Sequence, residues 1–121
     1  MGDFAVNFFG NSGKFIQIIC DGKYIIKFGS GGDFHNDMLK DFLNENEVPY
    51  EVFGSLGSPL ERGDGYFLAG AGYYRLGEMV ENELKVYLED ESETYRKGPS
   101  RSHLEKMGNC FEGIELVVLK K

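Results

Sequence analysis

Residues 14–20, Lys14-Phe15-Ile16-Gln17-Ile18-Ile19-Cys20, are apolar and β-branched almost throughout, the pattern of a buried strand. Upstream, Ala5-Val6-Asn7-Phe8-Phe9 reads as an edge strand, and Gly10-Asn11-Ser12-Gly13 as a turn. Downstream, Asp21-Gly22 is a two-residue hairpin signal, so residues 23–28 form the return strand. Gly29-Ser30-Gly31-Gly32 then breaks the pattern, and Asp33 is the expected N-cap of a helix. Phe34, Met38, Leu39, Phe42 and Leu43 recur at helical spacing, which predicts an amphipathic helix over 34–46, stopped by Pro49.

The second half alternates more than it runs. Residues 50–53 read as a short strand, and 54–59 and 62–65 as loops rich in glycine. Residues 66–76 are strand-like, with Ala69-Gly70-Ala71-Gly72 in the middle, where missing side chains suit a bulge or a close approach. Residues 84–88 alternate as a half-buried strand. Ser102 and Glu105 fit a capping box and predict a short helix reaching Met107, and 114–119 is the last strand. The sum is one α/β or α+β domain over residues 1–121: a mixed sheet of five or six strands, one long helix and one short one.

Charge narrows the partners. With 13 Lys and Arg against 20 Asp and Glu, the net charge of −7 leaves no broad basic face for nucleic acid. No apolar run approaches the roughly 20 residues of a membrane-spanning helix, and the N-terminus lacks the pattern of a secretory signal. Two cysteines, Cys20 and Cys110, are too few for a disulfide framework, so the expected compartment is the cytoplasm. Glu78, Glu81, Glu83, Glu89, Asp90, Glu91 and Glu93 crowd one stretch, and Arg96, Lys97 and Arg101 follow at once. Such a stretch is solvated surface, a face for a basic partner, or the border of a site for one small anion.

Chemistry concentrates at two helix starts. Strand 23–28, a glycine-rich loop and helix 34–46 bring free N–H groups and a positive dipole end to one point, and His35 lies in the first helical turn. The dipole favours neutral imidazole there, the form a general base needs. The rival reading is a glycine-rich turn beside an ordinary histidine. Asp33, His35 and Asp37 do not make a metal site, because on a helix position 35 points away from the other two. The second start, residues 94–103, offers hydroxyls, cations and a Gly98-Pro99 turn, which suit an oxyanion or plain turn and capping chemistry alike. His103 is expected at the surface. Lys14 and Arg75 read as strand-end charges and Cys20 as a small core residue. No Cys–His pairing supports a thiol nucleophile at Cys110.

Taken in order, these pieces resemble the janus/ocnus family, the small phosphohistidine phosphatases. Gly13-Lys14-Phe15-Ile16-Gln17-Ile18 resembles the family's early strand. Asp33-Phe34-His35-Asn36-Asp37-Met38 resembles the start of its long helix. Gly72-Tyr73-Tyr74-Arg75-Leu76 resembles its glycine-rich strand end before an arginine. Lys85-Val86-Tyr87, Thr94, Gly98-Pro99 and Glu105-Lys106-Met107 resemble its closing strand, phosphate loop and helix. The resemblance implies a metal-independent hydrolase with no cofactor, acting on a phosphorylated protein or a small phosphorylated molecule. His35 would be the general base. Asn36, Thr94, Arg96, Lys97 and Gly98 would hold the phosphoryl group, and Lys14 and Arg75 would neutralise it. Thr94 stands where the family has a serine, and Glu93 beside it would repel phosphate. A phosphate-binding module without turnover therefore stays open, as does an interaction protein using the acidic face of residues 78–93.

Overall fold

The computed structural model describes residues 11–30, 32–108 and 113–119. Strand β1 (Ser12–Cys20) turns through Asp21-Gly22 into β2 (Lys23–Ser30). Both turn residues have positive φ, 52° and 77°, the backbone that a two-residue hairpin demands and that Asp-Gly supplies cheaply. The return strand runs two residues past the expected end, because Gly29 and Ser30 still pair with Lys14 and Gly13.

Helix α1 (His35–Glu45) follows. Its N-cap is Phe34, with no side-chain cap, and not Asp33. Asp33 instead accepts the backbone N–H of Ser30 through Oδ2 at 2.8 Å, so its carboxylate closes the preceding turn. The short strand expected at 50–53 is β3 (Val52–Phe53), and the loops expected at 54–59 and 62–65 carry two more two-residue strands, β4 (Ser58–Pro59) and β5 (Arg62–Gly63). β3 and β4 form a small sheet of their own.

Strand β6 (Tyr66–Val80) is four residues longer than predicted, and β7 (Glu83–Glu89) is its hairpin partner. Glu81 and Asn82 form the turn, again with both φ positive, which a Glu-Asn pair does not announce. Helix α2 (Arg101–Met107) is capped by Ser100, whose hydroxyl accepts the N–H of His103; the capping box was expected at Ser102 and Glu105. β8 (Ile114–Val118) closes the sheet, parallel to β7. The expected strand at 5–9 and Cys110 lie outside the described residues.

The result is a mixed α+β domain with a six-stranded sheet, ordered β2-β1-β6-β7-β8, with β5 beside the start of β6. Ile16, Ile18, Leu68 and Ala71 bury one face of the sheet with Leu39, Phe42 and Leu43 of α1. Phe15, Tyr74, Val86 and Leu88 bury the other with Leu104 and Met107 of α2. A bulge links the two faces. Gln17 pairs with Gly70 but Ile18 with Leu68, so Ala69 is one residue too many on β6. That insertion reverses the alternation of every side chain after it.

Gly70 has a packing reason to be glycine. A Cβ there would lie 2.9 Å from both Gly98 O and Ser100 N and closer still to Gln17 Oε1. Gly70→Ala is expected to cost about 1–3 kcal/mol, read as a lower midpoint in chemical unfolding with an unchanged slope.

Candidate functional site

β1, β6 and β7 carry the site in rows. Residues opposite one another in an antiparallel pair share a face. The registers therefore set Lys14, Tyr73 and Glu89 side by side, with Ser12, Arg75 and Tyr87 in the next row. Both rows lie on the face that α1 covers, beyond the N-terminal end of the helix. Tyr73 and Arg75 reach this face only because of the bulge at Ala69.

His35 stands at the edge of the first row, 4% exposed. Its Nε2 is 2.7 Å from the carbonyl oxygen of Gly72 and donates to it. A carbonyl can only accept, so the proton sits on Nε2 and the lone pair of the neutral ring is on Nδ1. Among the described residues Nδ1 has no hydrogen-bond partner. Burial, above all, holds the imidazole below its ordinary pKa; the Gly72 bond opposes this, and the charge of Lys14 adds to it. The ring meets Tyr73 edge-on, with centroids 5.5 Å apart. Lys14 lies over the same Tyr73 ring at 5.5 Å and over Phe34 at 5.9 Å. Asn36 is buried in the first turn. No side chain caps α1, and the first helical bond runs from Met38 to Phe34, so the N–H groups of residues 35–37 point out of the helix.

The loop from 92 to 98 is a closed unit beside this turn. Ser92 N–H bonds Lys97 O, Arg96 N–H bonds Ser92 O, and Ser92 Oγ accepts Tyr95 N–H. Tyr95 anchors it in the α1 core: its hydroxyl donates to Pro59 O at 2.8 Å and its ring meets Phe53. Burial leads the causes that push the Tyr95 phenol upward, with Tyr66, Glu61 and Asp37 of α1 adding to it. Gly98 O accepts the N–H of Ala71, one residue from the carbonyl that holds His35. The loop and the histidine thus hang from adjacent residues of β6, Ala71 and Gly72. Thr94 and Arg96 are exposed beside Tyr95, and Arg96 has a positive φ of 56°.

Two of the expected cations are engaged elsewhere. Arg75 lies 3.4 Å from Glu89 and stacks over Tyr87. Lys97 pairs with Glu61 at 2.7 Å and covers Phe67. The structure therefore brings together His35, Asn36 and Lys14, ties the loop of Thr94 and Arg96 to the α1 side of the core through Tyr95, and gives Arg75 and Lys97 to carboxylates. Behind the loop, a cavity of about 300 Å³ is lined by Asp90, Glu91, Gly98, Pro99 and Arg101; its two carboxylates suit it poorly to phosphate. Among the described residues no three His, Cys, Asp or Glu side chains are grouped to hold a metal ion.

Tyr73 joins His35 to Lys14 and was not a sequence candidate. The signal was present in Gly72-Tyr73-Tyr74-Arg75, where 73 and 75 must share a face, but the face could not be known. His103 departs most from expectation: it is 2% exposed and not at the surface. Comparison with family models, curated proteins and solved structures finds no match to this chain. No helix among the described residues is long and apolar enough to cross a membrane.

Proposed function

We propose that the chain binds the phosphoryl group of phosphohistidine at the N-terminal edge of α1 and hydrolyses the P–N bond with His35 as general base, in the manner of the janus/ocnus phosphatases. One observation supports this above the rest: Nε2 of His35 is committed to the Gly72 carbonyl, so a buried, neutral imidazole keeps Nδ1 for a proton. In this reading the phosphoryl oxygens face the N–H groups of residues 35–37, Asn36 and the Lys14 ammonium, with Thr94, Arg96 and Gly98 on the loop side. Water attacks phosphorus and His35 Nδ1 takes its proton; the P–N electron pair stays with the substrate ring, which, already protonated on its other nitrogen, leaves as neutral imidazole. The developing charge is met by fixed donors and a cation, so the labile P–N bond needs no cofactor. The substrate is a phosphorylated protein or small molecule of the cytoplasm.

The test combines inorganic phosphate titration, followed by amide and imidazole NMR, with phosphate release from phosphohistidine. Amide shifts are expected at 33–37 and 94–98. The rate is expected to rise with pH through the lowered pKa of His35, below 6.5, and to level off above it, because only the unprotonated base works. Absence of shifts at 33–37 overturns the reading.

A binding module without turnover is the second reading. The Arg75–Glu89 and Lys97–Glu61 pairs favour it, because those cations are already neutralised. Clustered shifts with no phosphate release would select it.

A further inference from the structure

The other histidine is held in a different way. On the α2 side of the sheet, Gln17 of β1 is fully buried and its amide grips both main-chain groups of Ser100 at the α2 entry. Gln17 Oε1 accepts Ser100 N–H at 2.7 Å, and Nε2 donates to Ser100 O at 3.0 Å. The same Nε2 lies 3.2 Å from His103 Nδ1, while His103 Nε2 lies 3.0 Å from the carbonyl of Ile18. The carbonyl accepts, so His103 Nε2 carries the proton; Gln17 donates, so Nδ1 carries the lone pair. Every polar atom of the pair is committed in one sense only. Gly70, opposite Gln17, leaves the space in which residues 98–100 approach the sheet.

A second proton on this ring has no place. It would sit on Nδ1 and face the Gln17 NH₂, donor against donor. Flipping the Gln17 amide would relieve that clash, but it would set Oε1 against Ser100 O and Nε2 against Ser100 N–H, losing both bonds at once. The remaining surroundings offer only partial relief. β2 contributes the Tyr24 ring, edge-on at 5.4 Å, and the Ile25 carbonyl; β1 contributes Gln17 and the Ile18 carbonyl; the two carbonyls favour the charged ring, but burial outweighs them. The charged residues of α2 around it, Arg101 and Glu105, are exposed, as is Lys106. Burial accordingly leads the causes that hold this imidazole below its ordinary range, with no charged side chain among them.

We infer that Gln17 and His103 form a proton-released latch: protonation of His103 frees Ser100 from Gln17 and loosens residues 97–103 from β1 and β6. The effect reaches the opposite face. Gly98 O holds Ala71 N–H, and two peptides further along β6 the Gly72 carbonyl holds His35. The latch thus governs how residues 92–98 are presented beside α1, whatever that face binds. It does not depend on the phosphatase reading.

The test is a pH titration of the full chain by NMR, following the two histidine rings, the Gln17 side-chain amide, and the amides of Ala71, Ser100 and His103. The His103 ring, the Gln17 amide and these three backbone amides are expected to move with one midpoint, below 6.5, while the amides of Leu39 and Leu43 in α1 stay in place. Ser100 and Ala71 should lose protection from hydrogen exchange in the same step. Gln17→Glu should raise the His103 midpoint by about one pH unit or more, because a carboxylate accepts from both the imidazolium and Ser100 N–H. The inference is overturned if His103 titrates while Ser100 and Ala71 do not respond, or if Leu39 and Leu43 unfold in the same step. It is overturned as well if a folded Gln17→Glu variant leaves the midpoint unmoved or lowers it. The wild-type arm decides even where the variant does not fold.

Discussion

Replacing His35 with alanine is expected to lower phosphohistidine hydrolysis by about 10²- to 10⁴-fold, the usual span for a lost general base. The orientation of the ring is the reason. Gly72 O takes the Nε2 proton, and Nδ1 is the nitrogen left to act. Alanine removes that nitrogen but not the helix N–H groups or Lys14. Phosphate affinity should therefore fall far less than kcat, and the pH dependence attached to His35 should vanish from the residual rate. Steady-state phosphate release and a parallel phosphate titration separate the two effects. Equal turnover by wild type and His35→Ala would remove the histidine from the chemistry.

Leu39→Ala is expected to cost about 2–5 kcal/mol, among the largest effects of any single truncation in the chain. Leu39 is completely buried in the α1 face of the core and lies one helical turn beyond His35, on the same side of the helix. The loss combines transfer of the side chain with the cavity it leaves between α1 and the sheet. The midpoint of thermal unfolding should fall by on the order of 10 °C. A folded Leu39→Ala variant should also shift the His35 ring signals, because the same packing sets the distance from the helix start to Gly72. Phe34, more than half exposed, is the contrast: its truncation should leave stability almost unchanged.

Acid acts on this protein through both histidines in the same direction. Each is held below its ordinary pKa by burial, so the unfolded chain binds protons that the folded chain refuses. Their contribution to stability is complete above about pH 6.5 and is lost as pH falls through the lowered values.

Much of the architecture was legible in the chain. Apolar runs at 14–20 and 23–28, the Asp21-Gly22 signal, the helical spacing from Phe34 to Leu43 and the alternation at 84–88 each express a local rule, and each appears within a residue or two of its expected place. Misplaced details share a cause. Asp33 has the chemistry of an N-cap but spends its carboxylate on Ser30, and Ser100 rather than Ser102 caps α2. Several residues could serve at each helix start, and packing chooses among them. The β6–β7 turn was hidden because Glu81 takes positive φ under the pull of a long hairpin, not from its own preference, and Asn82 alone is a weak turn signal.

The candidate site was legible as a set of residue types and not as a constellation. His35 with a helix start, and Lys14 with a strand start, are local facts that the sequence itself determined. So were the sign of the net charge and the two helix starts where anion chemistry can sit. Tertiary structure alone decided the rest. A single extra residue, Ala69, reverses the alternation of β6 and carries Tyr73 and Arg75 to the face of His35. The register with β7 then sets Glu89 beside Arg75, and the approach of residues 98–100 over Gly70 buries His103 against Gln17. Each of these depends on which residues from distant parts of the chain stand opposite one another. Periodicity along one segment carries no record of that, because it fixes the spacing of side chains within a strand but not the phase against its neighbours.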